Sequence, residues 1–165
     1  MGQLKYGINK NEKSALNLSA PMGASEIIPA GGAFVKNDGS GRMEIAGDQD
    51  ALLAGFVYPI ELDSDELYQT CSSTEGATVV PFIPISSMLG VSTRLPITDG
   101  TYVATMLGET ADLEVVSNMQ GVKLDASSED TVTIVGGLID GTSENGGYVD
   151  VVPSVEKITS VTGVV

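Results

Sequence analysis

The chain has 165 residues, enough for one domain with a buried core, and carries 22 acidic against 8 basic side chains for a formal net charge of −14. It holds one cysteine, no tryptophan and no histidine, so the commonest general acid/base and metal ligand is absent, and with it any Ser-His-Asp or Cys-His constellation and nearly every zinc site. The acidic balance argues against nucleic-acid phosphates or an anionic membrane surface as partners.

Hydrophobic residues make up 42% of the chain but aromatics only 5%, with 20 Gly and 7 Pro. That composition describes short β-branched strands joined by tight turns. The start, MGQLKYGINKNEKSALNL, has no apolar run of signal-peptide length, and no stretch approaches a membrane helix, so the expectation is synthesis in a cytoplasm. Tyr6 stands where a myristoylation signal wants Ser or Thr.

Residues 1–20 are expected to form an extended N-terminal arm. They are polar, with scattered apolar positions at Leu4, Tyr6, Ile8, Leu16 and Leu18, too few to fold alone. Lys5, Lys10 and Lys13 face only Glu12, so residues 14–165 hold 21 acidic and 5 basic side chains. The Leu16-Asn17-Leu18 alternation suits strand addition to a sheet edge.

The body, residues 21–165, opens with a strand, a turn and a second strand over Glu26–Lys36, then Asn37-Asp38-Gly39-Ser40-Gly41, a hairpin signal because Asp-Gly supplies positive φ angles. Arg42–Ala46 reads as the returning strand, and Ala51–Ile60 as a strand buried on both faces and ended by Pro59. Together these predict a β meander. Ala77–Ile85 is apolar but twice interrupted by proline, which predicts an edge strand or an extended crossing piece. Residues 61–70 and 86–92 are expected as short helical turns. Thr101–Met106, Leu113–Val116, Thr131–Ile139 and Tyr148–Val152 read as further strands, with turns at Thr98–Gly100, Ser117–Gly121, Ser127–Asp130 and Gly141–Gly147. The whole predicts an all-β, compact β-barrel or sandwich.

No catalytic motif emerges, and the chain is expected not to be an enzyme. Asp48-x-Asp50 and Asp63-x-Asp65-Glu66 offer oxygen ligands, but an EF-hand counted from Asp63 meets Tyr68 and Thr74 where it needs Gly and Glu. They are read as solvated turns, and no metal or cofactor is expected. Paired carboxylates of a glycosidase would want aromatic platforms, and the chain has no Trp and eight other aromatics in all. Gly39-Ser40-Gly41 is not a nucleophile elbow. Lone Cys71, with no histidine to activate it, is read as a small apolar residue.

The stretch Ile28–Met43 (IPAGGAFVKNDGSGRM), followed by Gly55-Phe56-Val57, resembles the head decoration, or cement, proteins of tailed bacteriophages, in which an apolar strand leads through an Asp-Gly hairpin to a glycine-led strand. The resemblance covers residues 22–60. It implies a β-tulip-like body, often a homotrimer, on the outer surface of the expanded capsid in the virion. It also implies that the arm contacts the major capsid protein, with Leu4, Tyr6, Ile8, Leu16 and Leu18 as capsid-binding residues. Residues 110–165 have no counterpart in that pattern and are read as a β subdomain, a partner strand or an outward-facing element. The alternative from another class is a carbohydrate-binding or adhesin module of a phage fibre or bacterial surface.

Overall fold

The computed structural model describes residues 18–47, 50, 52–125 and 128–155, together with the backbone of residues 7–8. The protein is all-β, as its composition predicts. In chain order the strands are β1 (Gly7–Ile8), β2 (Leu18–Pro21), β3 (Ile27–Pro29), β4 (Ala33–Asn37), β5 (Met43–Ile45), β6 (Gly55–Val57), β7 (Tyr68–Thr70), β8 (Val79–Pro84), β9 (Thr93–Asp99), β10 (Thr110–Val116), β11 (Met119–Lys123), β12 (Val132–Gly137) and β13 (Tyr148–Pro153). Two 3₁₀ turns, Ile85–Ser87 and Ala104–Met106, are the helical elements among the described residues, and no described helix is long and apolar enough to cross a membrane.

The strands form three sheets. The largest runs β1-β9-β11-β10-β12-β13, and β13 pairs back onto β9, so it curls into a barrel-like surface. All its pairings are antiparallel except β9 with β11. The second runs β2-β8-β6-β4-β5, and the third is the ribbon β3-β7.

Strand alternation places the second sheet between two cores. Phe34 and Phe56 point toward the barrel-like sheet, joining Leu53, Ile85, Leu95, Ile97, Leu113, Val122, Ile134, Val149 and Val151. Their neighbours Val35 and Val57 point the other way, to Met22, Ile28, Met43, Cys71 and Val80. The expectation of burial on both faces therefore holds for Gly55–Val57, although among the described residues of the 51–60 stretch only those form a strand. Phe34 and Phe56 meet edge to face at 5.1 Å, a favoured geometry for aromatic pairs. Gly55 lets β8 approach: a Cβ there would stand 2.3 Å from the Ile83 carbonyl oxygen.

Several expectations are corrected. The first half is no meander, since β6 pairs with the edge of β4 opposite β5 and β8 lies next to β6. Residues 61–70 contain β7, paired with β3, in place of a helical turn. Ala77–Ile85 is neither an edge nor a crossing piece, because β8 is flanked by β2 and β6. Its prolines are tolerated by register. The Pro81 carbonyl accepts from Tyr58 N at 3.2 Å, so Pro81 turns its nitrogen toward the β6 side, where pairing begins only at Phe82. Pro84, an odd number of residues on, turns toward the β2 side, where pairing has stopped at Phe82. Thr101–Met106 is a loop with a 3₁₀ turn, bounded by Gly100 and Gly108 at φ 87° and 88°. The Ser117–Gly121 turn shrinks to Ser117-Asn118, both at positive φ, and Met119–Gly121 belong to β11.

Residues 110–155 are built into the main sheet: β10 to β13 pair with one another and with β9, and share its core with Phe34 and Phe56.

Candidate functional site

The predicted contact residues fall on the N-terminal segment. Leu4, Tyr6 and Leu16 lie outside the described residues. Ile8 belongs to β1, whose backbone adds antiparallel to β9 with Gly7 opposite Arg94 and Ile8 opposite Thr93. Leu18 opens β2 opposite Phe82 and is 43% exposed. The segment thus reaches two different sheets, adding β1 to β9 of the barrel-like sheet and β2 to β8 of the second. Short strands that add to edges satisfy backbone groups that would otherwise template pairing with other chains.

The receiving strand β9 is shared between neighbours. One edge is taken by β13 from Thr93 to Pro96. The other is divided, with β1 at Thr93 and Arg94 and parallel β11 at Ile97 and Asp99. Arg94 is held flat on β13: Nε donates to Asp150 Oδ1 at 2.8 Å and Nη2 to Oδ2 at 3.0 Å, and its guanidinium lies 3.9 Å over the Tyr148 ring. A bidentate carboxylate and an aromatic face together fix this planar cation.

The carboxylates that looked like candidate ligands are engaged in holding loops. Asp50 accepts from Lys36 Nζ at 2.7 Å and from Gly47 N at 2.8 Å. Asp63 accepts from Thr70 N and Oγ1 at 2.9 and 2.6 Å. Asp48 lies outside the described residues. Buried Asp112 accepts the backbone N–H groups of Ser128, Glu129 and Asp130 at 2.7 to 2.9 Å, tying down the β11–β12 connection. Among the described residues, no three His, Cys, Asp or Glu side chains are grouped to hold a metal ion.

Glu26 is half-buried between Lys36, Glu44 and Asp50, and burial is the largest influence pushing its carboxyl above the usual range. Cys71 is buried, and burial first, then the charge of Glu26, pushes its thiol up to about 11. At neutral pH it carries almost no thiolate, the reactive form. The depression lined by Gly31, Gly32, Leu67, Leu95, Pro96 and Met119 has a volume of about 30 Å³, room for about one water.

One surface feature escaped the sequence reading. Val103, Leu107, Val135, Leu138 and Ile139 are exposed on two segments laced together by Tyr102 N to Gly141 O at 3.0 Å, Asp140 N to Tyr102 O at 2.9 Å and Gly108 N to Ile134 O at 2.9 Å. Val103, Val135, Leu138 and Ile139 lie in stretches read as strands, but of the four only Val135 falls in one, β12; Leu107 lies just beyond the first stretch. The glycines that bound both segments were the available sign that they are loops or bulged. Comparison of the chain with protein-family models, curated proteins and solved structures finds no match in any of the three.

Proposed function

We propose that this chain is a structural virion protein that binds the outer surface of an expanded phage capsid and cements neighbouring capsomers, with the major capsid protein as partner and a homotrimer as the working form. The observation that carries the reading is the behaviour of the N-terminal segment. Both of its described pieces act as added edge strands, on β9 and on β8, and the same backbone chemistry would let the segment extend a sheet of another protein. The acidic body and the likeness of residues 22–60 to cement proteins add support. A protein that binds the assembled lattice and not free subunits stabilises the shell by mass action, and many copies reinforce one another through avidity.

The test is co-sedimentation with expanded empty capsids of a candidate phage, for the full chain and for a chain lacking residues 1–17, which keeps β2 whole. The full chain is expected to saturate the shell and ignore dissociated subunits, and the truncated chain to stay folded but unbound. Full occupancy by the truncated chain would refute the arm as the contact. A full chain that ignores the shell and is retained on a glycan array would favour the adhesin alternative.

A further inference from the structure

We propose that Val103, Leu107, Val135, Leu138 and Ile139 form the face through which copies of this chain associate. The inference deepens one part of the reading above. It names the contact of the homotrimer, and it rests on that reading only for the number of copies.

The face is apolar, free of charge and preformed. Its five side chains are 38 to 61% exposed and together present on the order of 400 Å² of apolar surface, the size at which a patch on a free protein marks an interaction site. That is about half of the ~800 Å² that each partner buries in a standard interface, and the remainder is the polar rim that surrounds such a core. Residues 101–108 and 131–139, which supply the patch, contain no charged side chain, although 18% of the chain is charged. Charges resume directly beside both segments, at Glu109, Asp130 and Asp140. Loss of charge at an apolar centre is the compositional mark of an interface core. The backbone beneath the patch is fixed. Besides the bonds that lace the two segments together, Met106 N donates to Val103 O and Ile134 N to Glu109 O, both at 2.9 Å. Buried Tyr102 packs against Gly137, where a Cβ would stand 2.8 Å from its ring. A surface already in shape loses little conformational freedom on docking.

Charge selects a second copy as the occupant. With a net charge of −14 each, two copies repel one another over most of their surface, and a face without charge is where they approach at least cost. A basic partner would be drawn to the carboxylates elsewhere on the body and gains nothing from a patch that offers it none. Every copy presents the same patch, so contact around one symmetry axis buries it on all of them.

Analytical ultracentrifugation of the full chain tests this. The chain is expected to associate as concentration rises and to reach three copies. It is expected to associate more tightly as ionic strength rises from ~0.1 to ~1 M, which shortens the reach of charge repulsion from ~10 to ~3 Å. Leu107→Asp combined with Ile139→Asp, at positions 61% and 53% exposed, is expected to weaken association by ~100-fold or more with an unchanged circular dichroism spectrum. Ile60→Asp, at an exposed position between β6 and β7, and a chain lacking residues 1–17 are expected to associate as the full chain does. A full chain that stays monomeric at every concentration would overturn the proposal, and so would undiminished association of the double variant. Dissociation by added salt would overturn it in favour of charge pairing, and loss of association without residues 1–17 would overturn it in favour of the arm. Two copies in place of three, separated by the same double variant, would support the face and refute the homotrimer. A chain that associates through the face yet ignores expanded capsids would likewise support the face and refute the capsid reading.

Discussion

Gln120 is the residue on which the two larger sheets are expected to depend most. It sits on β11, is 2% exposed, and reaches across to the second sheet. Its Nε2 donates to Ala46 O at 2.8 Å and to Phe34 O at 2.9 Å, while Oε1 accepts from Phe34 N at 2.7 Å. Phe34 and Ala46 continue the β4–β5 register, and Ala46 N still donates to Phe34 O at 3.0 Å. The reciprocal bond, Phe34 N–H to Ala46 O, is replaced by the Gln120 amide inserted between them. Gln120→Leu fills the same space and keeps the strands apart, so it orphans one buried donor and one buried acceptor, each costing ~1–3 kcal/mol. After the gain from added apolar surface, a net loss of about 3 kcal/mol is expected. That is a large share of a typical stability of ~5–15 kcal/mol and corresponds to a melting temperature lower by ~6–12 °C. Urea unfolding followed by circular dichroism, with an unchanged m value, measures it. A loss below about 1 kcal/mol would refute the argument, by showing that the ladder closes directly or that water takes the amide's place. Gln120→Glu should be worse at neutral pH than in mild acid, since an ionised carboxylate can accept from Phe34 N–H but offers the two carbonyls no donor.

Glu26 holds its proton more tightly folded than unfolded, because burial raises its pKa above 4.5. Between that ordinary value and the raised one the folded state binds more protons, so this group's contribution makes stability fall as pH rises through the window. Glu26→Gln, whose amide oxygen can still accept from Ile45 N, is expected to flatten that part of the profile and to be the more stable protein at pH 7; an unchanged pH profile would refute the assignment. Cys71, with its thiol near 11, is expected to resist a thiol-specific disulfide reagent at pH 8 until denaturant is added, and rapid labelling of the native protein would contradict its burial. Gly55→Ala is expected to cost ~1–3 kcal/mol or more through overpacking, since the new Cβ meets the Phe82 ring and the Ile83 carbonyl. Gly39→Ala, at φ 88° in open space, should cost ~1 kcal/mol from backbone strain alone; equal losses in urea unfolding would argue against the close β6–β8 approach.

Local chemistry made part of this fold legible. The Asn37–Gly41 hairpin forms because Asp38 accepts Ser40 N and Arg42 N while Gly39 and Gly41 take positive φ, all of which follow from side chains within the turn itself. The β-branched runs at 132–137 and 148–153 became β12 and β13 as expected. The arm's polarity and its difference in charge from the body were equally plain. Asp63 opens a turn in which Glu66 N donates to its carbonyl at 3.0 Å, and its carboxylate accepts from Thr70.

Other elements became visible only through tertiary structure. β9 contains Arg94 and Pro96, which break the strand pattern. Yet it is the strand that β1, β11 and β13 share, because Arg94 finds Asp150 and Tyr148 and Pro96 packs where β13 and β11 leave its nitrogen no role. β11 hid its key residue, since nothing near Gln120 in the chain reveals that its amide bonds to positions 74 and 86 residues away. Composition and turn chemistry determined that this protein is made of short strands, because those preferences are decided within a few residues. Which strands are neighbours, and that the N-terminal segment adds to two sheet edges, was decided by long-range packing and by the need to pair backbone groups that no local sequence can supply.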